Sequence, residues 1–144
     1  MRQIATEIEI NAPAVKVWAL LTDFEKYPEW NPFIISVEGE IKEGMKFKAI
    51  LQQPGSGPMS FRPKCLKLER NMEFRWLGHL FVPGLFDGEH IFLLTDMNNT
   101  HTRFIQKENF SGLLVPVLWK QLNTKTRKGF ELMNEKIKEL AEAE

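Results

Sequence analysis

Cys65 is the one cysteine among 144 residues, so no disulfide can form within the chain. A chain with this cysteine usage suits a reducing compartment, and a cytoplasmic location is expected. Charge of one sign is also missing. Nineteen Lys plus Arg balance nineteen Asp plus Glu, which supplies no field for nucleic acid or an anionic surface. No apolar run reaches spanning length and no basic stretch leads into one, so neither a membrane span nor export is expected. Asp87, Glu89 and His90 lie close together, but strand alternation separates Glu89 from His90 and no second histidine falls at metal-ligand spacing. No metal is expected. Gly55 and Gly57 lack the lysine and helix of a phosphate loop, so no nucleotide or other cofactor is expected.

Tyrosine is nearly absent as well. Eleven Phe and four Trp stand against one Tyr, a choice of ring surface without hydroxyl handles that builds cores or apolar pockets. The length fits one domain over residues 1–144. Gln3 to Asn11 alternates, with Ile4, Thr6, Ile8 and Ile10 on one face, as a half-buried strand does. Pro13 then suits a first helical turn, and Ala14, Val17, Trp18 and Leu21 recur at helical spacing. Tyr27-Pro28-Glu29-Trp30-Asn31-Pro32 stops that helix and turns the chain with its rings buried.

Six further strands are expected, at Phe33–Lys42, Met45–Gln53, Met59–Leu68, Met72–Leu77, Glu89–Asp96 and Thr102–Phe110. The stretch Pro54 to Pro58 reads as a loop, and Asn98-Asn99 suit left-handed geometry in the last hairpin. Leu80 to Phe86 carries Pro83-Gly84 among apolar residues, and Phe81, Leu85 and Phe86 make it a gating-loop candidate. From Val115 onward, Leu118, Leu122, Thr126, Gly129, Met133, Ile137 and Leu140 recur on one stripe of a long helix.

Ala12-Pro13, Val17-Trp18, Leu21 to Phe24, Tyr27 to Phe33, Gly88-Glu89-His90 and Glu108 to Gly112 together carry a resemblance. On these motifs the chain resembles the START-like (SRPBCC, helix-grip) superfamily, in its polyketide cyclase/dehydrase and lipid-transport branch, from about Ile4 to Leu140. The resemblance implies an α+β fold in which a seven-stranded curved antiparallel sheet wraps a long C-terminal helix, with two short helices between strands one and two. It also implies a cavity between sheet and helix that takes an apolar or amphipathic molecule, in a superfamily of lipid carriers, aromatase/cyclases and chaperone activators.

Within such a cavity the small Thr126 and Gly129 would leave room on the helix stripe. Trp30, Phe74, Trp76, Phe92, Phe104, Phe110, Leu118, Leu122 and Met133 are candidates for its wall, and Arg62 for a polar group facing an acidic ligand. Ile91 and Leu93 offer a competing apolar face, but if Phe92 and Leu94 face inward, pairing about Asn98-Asn99 sets His90 opposite Glu108. That pair offers either a structural hydrogen bond or acid–base groups for an enolisable ketone. Binding or transport of a small hydrophobic molecule by a monomer or weak homodimer is the leading expectation. A cyclase/dehydratase using His90 and Glu108, and a protein-binding module using Phe81 to Phe86, are the alternatives.

Overall fold

The computed structural model describes residues 1–143 and folds them into two antiparallel sheets and a set of helices. The larger sheet has the order β1-β8-β7-β6-β5, from β1 (Arg2–Ile10), β8 (His101–Ser111), β7 (Phe86–Met97), β6 (Glu73–Leu80) and β5 (Lys64–Glu69). The smaller has the order β2-β3-β4, from β2 (Ile34–Glu38), β3 (Lys48–Leu51) and β4 (Met59–Phe61). The seven strands expected in one sheet are thus eight in two. The eighth arises where Met59 to Leu68, expected as one strand, breaks between Phe61 and Lys64. Pro63 stands at that break, buried and without an amide donor for a ladder, so the chain changes sheets there.

Asn98 and Asn99 both take left-handed conformations, with φ of 60° and 58°, and join β7 to β8 in register. The side-chain amide of asparagine makes that geometry inexpensive. The inward parity of these strands delivers Phe74, Trp76, His90, Phe92, Phe104, Gln106 and Phe110 to the interior. Ile91, on the competing parity, is buried too but stands outside the main core cluster. Met72, expected to share a face with Phe74, lies in the turn before β6 and is exposed.

Between the first two strands come α1 (Ala14–Thr22), a 3-10 turn (Phe24–Lys26) and the single-turn α2 (Tyr27–Trp30). The aromatic-proline corner is therefore itself helical for one turn. Pro28 fits there because a helix's first turn has amides with no partner to lose. Asn31 ends it. Its side-chain oxygen accepts the backbone amides of Phe33 (3.0 Å) and Ile34 (2.9 Å), launching β2 from a buried position.

Tyr27, the single tyrosine, is fully buried and donates its hydroxyl to the Leu21 carbonyl. Burial first, and the Asp23 carboxylate second, push its phenol far above the ordinary value of about 10. The neutral form is the one the fold holds. Stability from this residue is complete below about pH 10, where the unfolded phenol is still protonated, and declines as pH rises from there toward the folded value. An alkaline titration should show no tyrosinate absorbance until the protein unfolds. Ionisation at the ordinary pH in a still-folded protein would contradict this.

The C-terminal helix runs without a gap through α3 (Val115–Gln121), a π-helical turn (Leu122–Thr126) and α4 (Arg127–Glu142). Thr124 donates its hydroxyl back to the Lys120 (2.9 Å) and Gln121 (3.2 Å) carbonyls within that turn. Gln53, in the loop after β3, donates to the Thr126 hydroxyl at 2.6 Å and ties the small sheet to the same point. No helix among the described residues is long and apolar enough to cross a membrane.

Candidate functional site

A cavity of about 200 Å³ opens between the two sheets and the start of the C-terminal helix. β3 and β4 give Ala49, Leu51, Met59 and Phe61, β6 to β8 give Trp76, Phe86, Glu108 and Phe110, and the helix gives Leu118, Leu122 and Thr126. Gly78 and Gly88 face each other across β6 and β7 and also line it. Without a side chain of its own Gly78 leaves the wall open, while the space over Gly88 is taken by the Glu108 carboxyl group. Gly57 and Met59, both exposed, put one side of the cavity at the surface.

Trp76, Phe86, Phe110, Leu118, Leu122, Thr126 and Glu108 of the expected set line this space. Phe74, Phe92, Phe104 and Met133 do not; they are fully buried in the core beyond it. Gly129 is filled rather than open, because a Cβ there would stand 2.5 Å from the Phe33 ring. Trp30 is half-buried and packs edge-on against Tyr27, away from the cavity. Arg62, expected inside, is exposed between β4 and β5 and does not line the cavity.

The gating-loop candidates separate. β6 and β7 run further than the sequence pattern indicates, leaving Phe81 to Leu85 as the connection and placing Phe86 in β7. Phe81 is 71% exposed, at φ 71°, and like Leu85 does not line the cavity. Gly112 (φ 122°) fixes the connection against the β8–α3 loop, since a Cβ there would lie 2.5 Å from the Leu85 carbonyl oxygen. Leu113 and Leu114 donate to the Gly84 (3.1 Å) and Leu85 (2.9 Å) carbonyls at this junction.

His90 and Glu108 are direct cross-strand partners on β7 and β8. His90 is 1% exposed and lies just behind the cavity wall, boxed by Phe92, Phe130 and Trp76 with ring centroids 4.7, 4.9 and 5.0 Å away. Its Nδ1 stands 3.5 Å from Glu108 Oε1 and has no hydrogen-bond partner.

The other ring nitrogen is fixed by a chain of hydrogen bonds that sequence reasoning missed. Thr6 must donate its hydroxyl to the Gln106 carbonyl (2.8 Å), because a carbonyl only accepts. Its oxygen then accepts from Asn134 Nδ2 (2.8 Å), and Asn134 Oδ1 accepts from Gln106 Nε2 (2.8 Å). Gln106 Oε1 is thereby left facing His90 Nε2 at 3.0 Å, so Nε2 carries a proton. Gln106 shares the inward parity of Phe104 and Glu108, so a signal for it existed in the strand pattern. Asn134 follows Phe130 by four residues on the buried helix face, a polar residue at a core position.

With Nε2–H engaged, the buried Nδ1 is left facing Glu108 Oε1, the polar atom 3.5 Å away that a proton on either group would bridge to it. Cys65, the remaining reactive side chain, is fully buried, and burial, with Glu43 adding to it, pushes its thiol upward, away from thiolate chemistry.

The architecture recurs in solved structures. The Zhui aromatase/cyclase from a Streptomyces species superposes with a TM-score of 0.77 at 15% identity, over 98% of this chain and 93% of that one. Norcoclaurine synthase from Thalictrum flavum gives 0.74 at 13% identity, over 97% and 93%. A START superfamily protein from Mycobacterium smegmatis gives 0.73 at 17% identity, over 96% and 98%. These likenesses establish the helix-grip, START-like fold. No curated protein sequence matches the chain. The family profile described as polyketide cyclase / dehydrase and lipid transport matches residues 1–142, and the chain belongs to that family.

Proposed function

We propose that this protein binds a compact, largely apolar molecule in the cavity between its two sheets and its C-terminal helix. The observation that carries this reading is a space walled by aromatic and aliphatic side chains, with Glu108 as the carboxyl group on its lining. At about 200 Å³ it falls below the roughly 300–1,000 Å³ of drug-sized sites, which favours a small ring system over an extended lipid chain. Enclosure supplies the affinity, at about 25 cal/mol for each Å² of apolar surface removed from water.

Naphthalene, which has no polar group, tests the cavity alone. Titrated into methyl-labelled protein, it should produce saturable NMR shifts at Leu51, Met59, Leu118 and Leu122, and none at Ile137 or Ala141 in the core. Absence of saturation, or shifts spread over the whole molecule, would overturn the proposal. Native mass spectrometry followed by solvent extraction would then identify any molecule retained from the cell.

The unpartnered Nδ1 of His90 also supports an acid–base reading, in line with the fold's likeness to a solved aromatase/cyclase. Under it, His90→Ala abolishes turnover of an aromatic polyketone while sparing its affinity.

A further inference from the structure

From the placement of the Glu108 carboxyl group between His90 and the cavity wall, we infer that the cavity selects ligands that present a hydrogen-bond donor, a phenolic, enolic or alcoholic hydroxyl, to Glu108 Oε2. This rests on the binding reading and narrows its ligand class. Glu108 Oε1 faces His90 Nδ1 at 3.5 Å, so the carboxyl group has one oxygen committed to the ring. The other oxygen occupies the space over Gly88, where a Cβ would overlap it at 2.2 Å, and Gly88 is itself part of the cavity wall. Among the described residues, no side-chain or backbone group donates a hydrogen bond to that oxygen.

Proton placement decides what Oε2 can accept or give. When Glu108 is protonated on Oε1, toward His90, Oε2 is a carbonyl oxygen and accepts. When His90 is the imidazolium, Glu108 is a carboxylate and Oε2 again accepts. Only a proton on Oε2 would make it a donor, and that leaves the Nδ1 lone pair, 1% exposed with its residue, facing a second lone pair with no hydrogen between them. The Nε2–H tautomer of His90, set through Gln106, Asn134 and Thr6, thus draws any carboxyl proton to the Oε1 side and leaves Oε2 an acceptor. Ketones, ethers and esters bring only acceptors and meet it lone pair to lone pair.

Three probes with one ring system test this by calorimetry or by quenching of tryptophan fluorescence: naphthalene, 2-methoxynaphthalene and 2-naphthol. The protein should bind 2-naphthol at least tenfold more tightly than either of the others, because hydrogen bonds to a charged or polarised acceptor in a water-poor site carry that order of discrimination. In Glu108→Leu the preference should vanish while naphthalene affinity holds or rises. Gly88→Ala, which displaces the carboxyl group without removing it, should lose the preference as well. Equal affinity of the wild type for 2-naphthol and 2-methoxynaphthalene would overturn the inference, and so would a parallel loss of all three probes in Glu108→Leu. Failure of every probe, naphthalene included, would instead overturn the binding reading and this inference with it.

Discussion

Asn31→Ala is expected to lower the unfolding free energy by about 2–4 kcal/mol, read as a shifted urea midpoint at unchanged m-value. Asn31 is 5% exposed, and its side-chain oxygen accepts the amides of Phe33 and Ile34 while its amide nitrogen lies 3.5 Å from Met133 Sδ. Truncation leaves two buried amides without acceptors, each costing about 1–3 kcal/mol. Asn31→Asp keeps both acceptors and strengthens them by charge, against the cost of burying that charge beside a thioether. It should therefore lose less than Asn31→Ala. An alanine variant within about 0.5 kcal/mol of wild type, the range of ordinary surface changes, would show that the corner is held by its rings and not by this side chain. Because Phe33 fills the space over Gly129 and also lines the cavity, loosening this corner should weaken naphthalene binding too.

Gln106→Leu should cost a similar amount, about 3 kcal/mol, for a different reason. Gln106 is fully buried and is the link between His90 Nε2, Asn134 Oδ1 and, at 3.5 Å, the Phe130 carbonyl. Leucine of similar volume leaves the imidazole N–H and the asparagine oxygen with no partner, and the penalty falls on those groups rather than on lost packing. A second change that removes one orphan should return part of the loss. In the double variant with His90→Phe, the two costs should sum to less than their separate values by about 1 kcal/mol or more. Additivity to within about 0.5 kcal/mol would mean that Gln106 and His90 act independently, and that the His90 tautomer is not set through the chain from Thr6.

Much of the architecture was legible in residue order. Alternation marked Gln3 to Asn11 and the last hairpin, because a strand's two faces meet different environments at every second residue. Asn98-Asn99 marked where pairing must reverse, since that turn needs left-handed backbone, and the structure then decided, against the competing face of Ile91 and Leu93, the parity that brings His90 inward opposite Glu108. The long helix was plain from its stripe, but its π-helical turn at Leu122–Thr126 was not. That turn inserts a residue without changing the apolar spacing enough to show. Pro63, read as part of one strand, proved to divide two sheets.

The sequence by itself determined the order of elements, because this depends on local periodicity and turn chemistry, and its motifs carried the resemblance to a cavity-bearing family. Only the tertiary structure decided which apolar residues wall a space and which fill the core. Phe92 and Phe104 obey the same period as Phe110 yet lie in solid packing, while the facing pair Gly78 and Gly88 leaves room at the wall that the Glu108 carboxyl group enters. Void and core differ by what comes from other elements, as Phe33 does over Gly129, and no period along one strand carries that information. The same holds for the proton chain. Thr6, Gln106 and Asn134 are distant in sequence, and only their convergence on His90 sets which nitrogen holds its hydrogen.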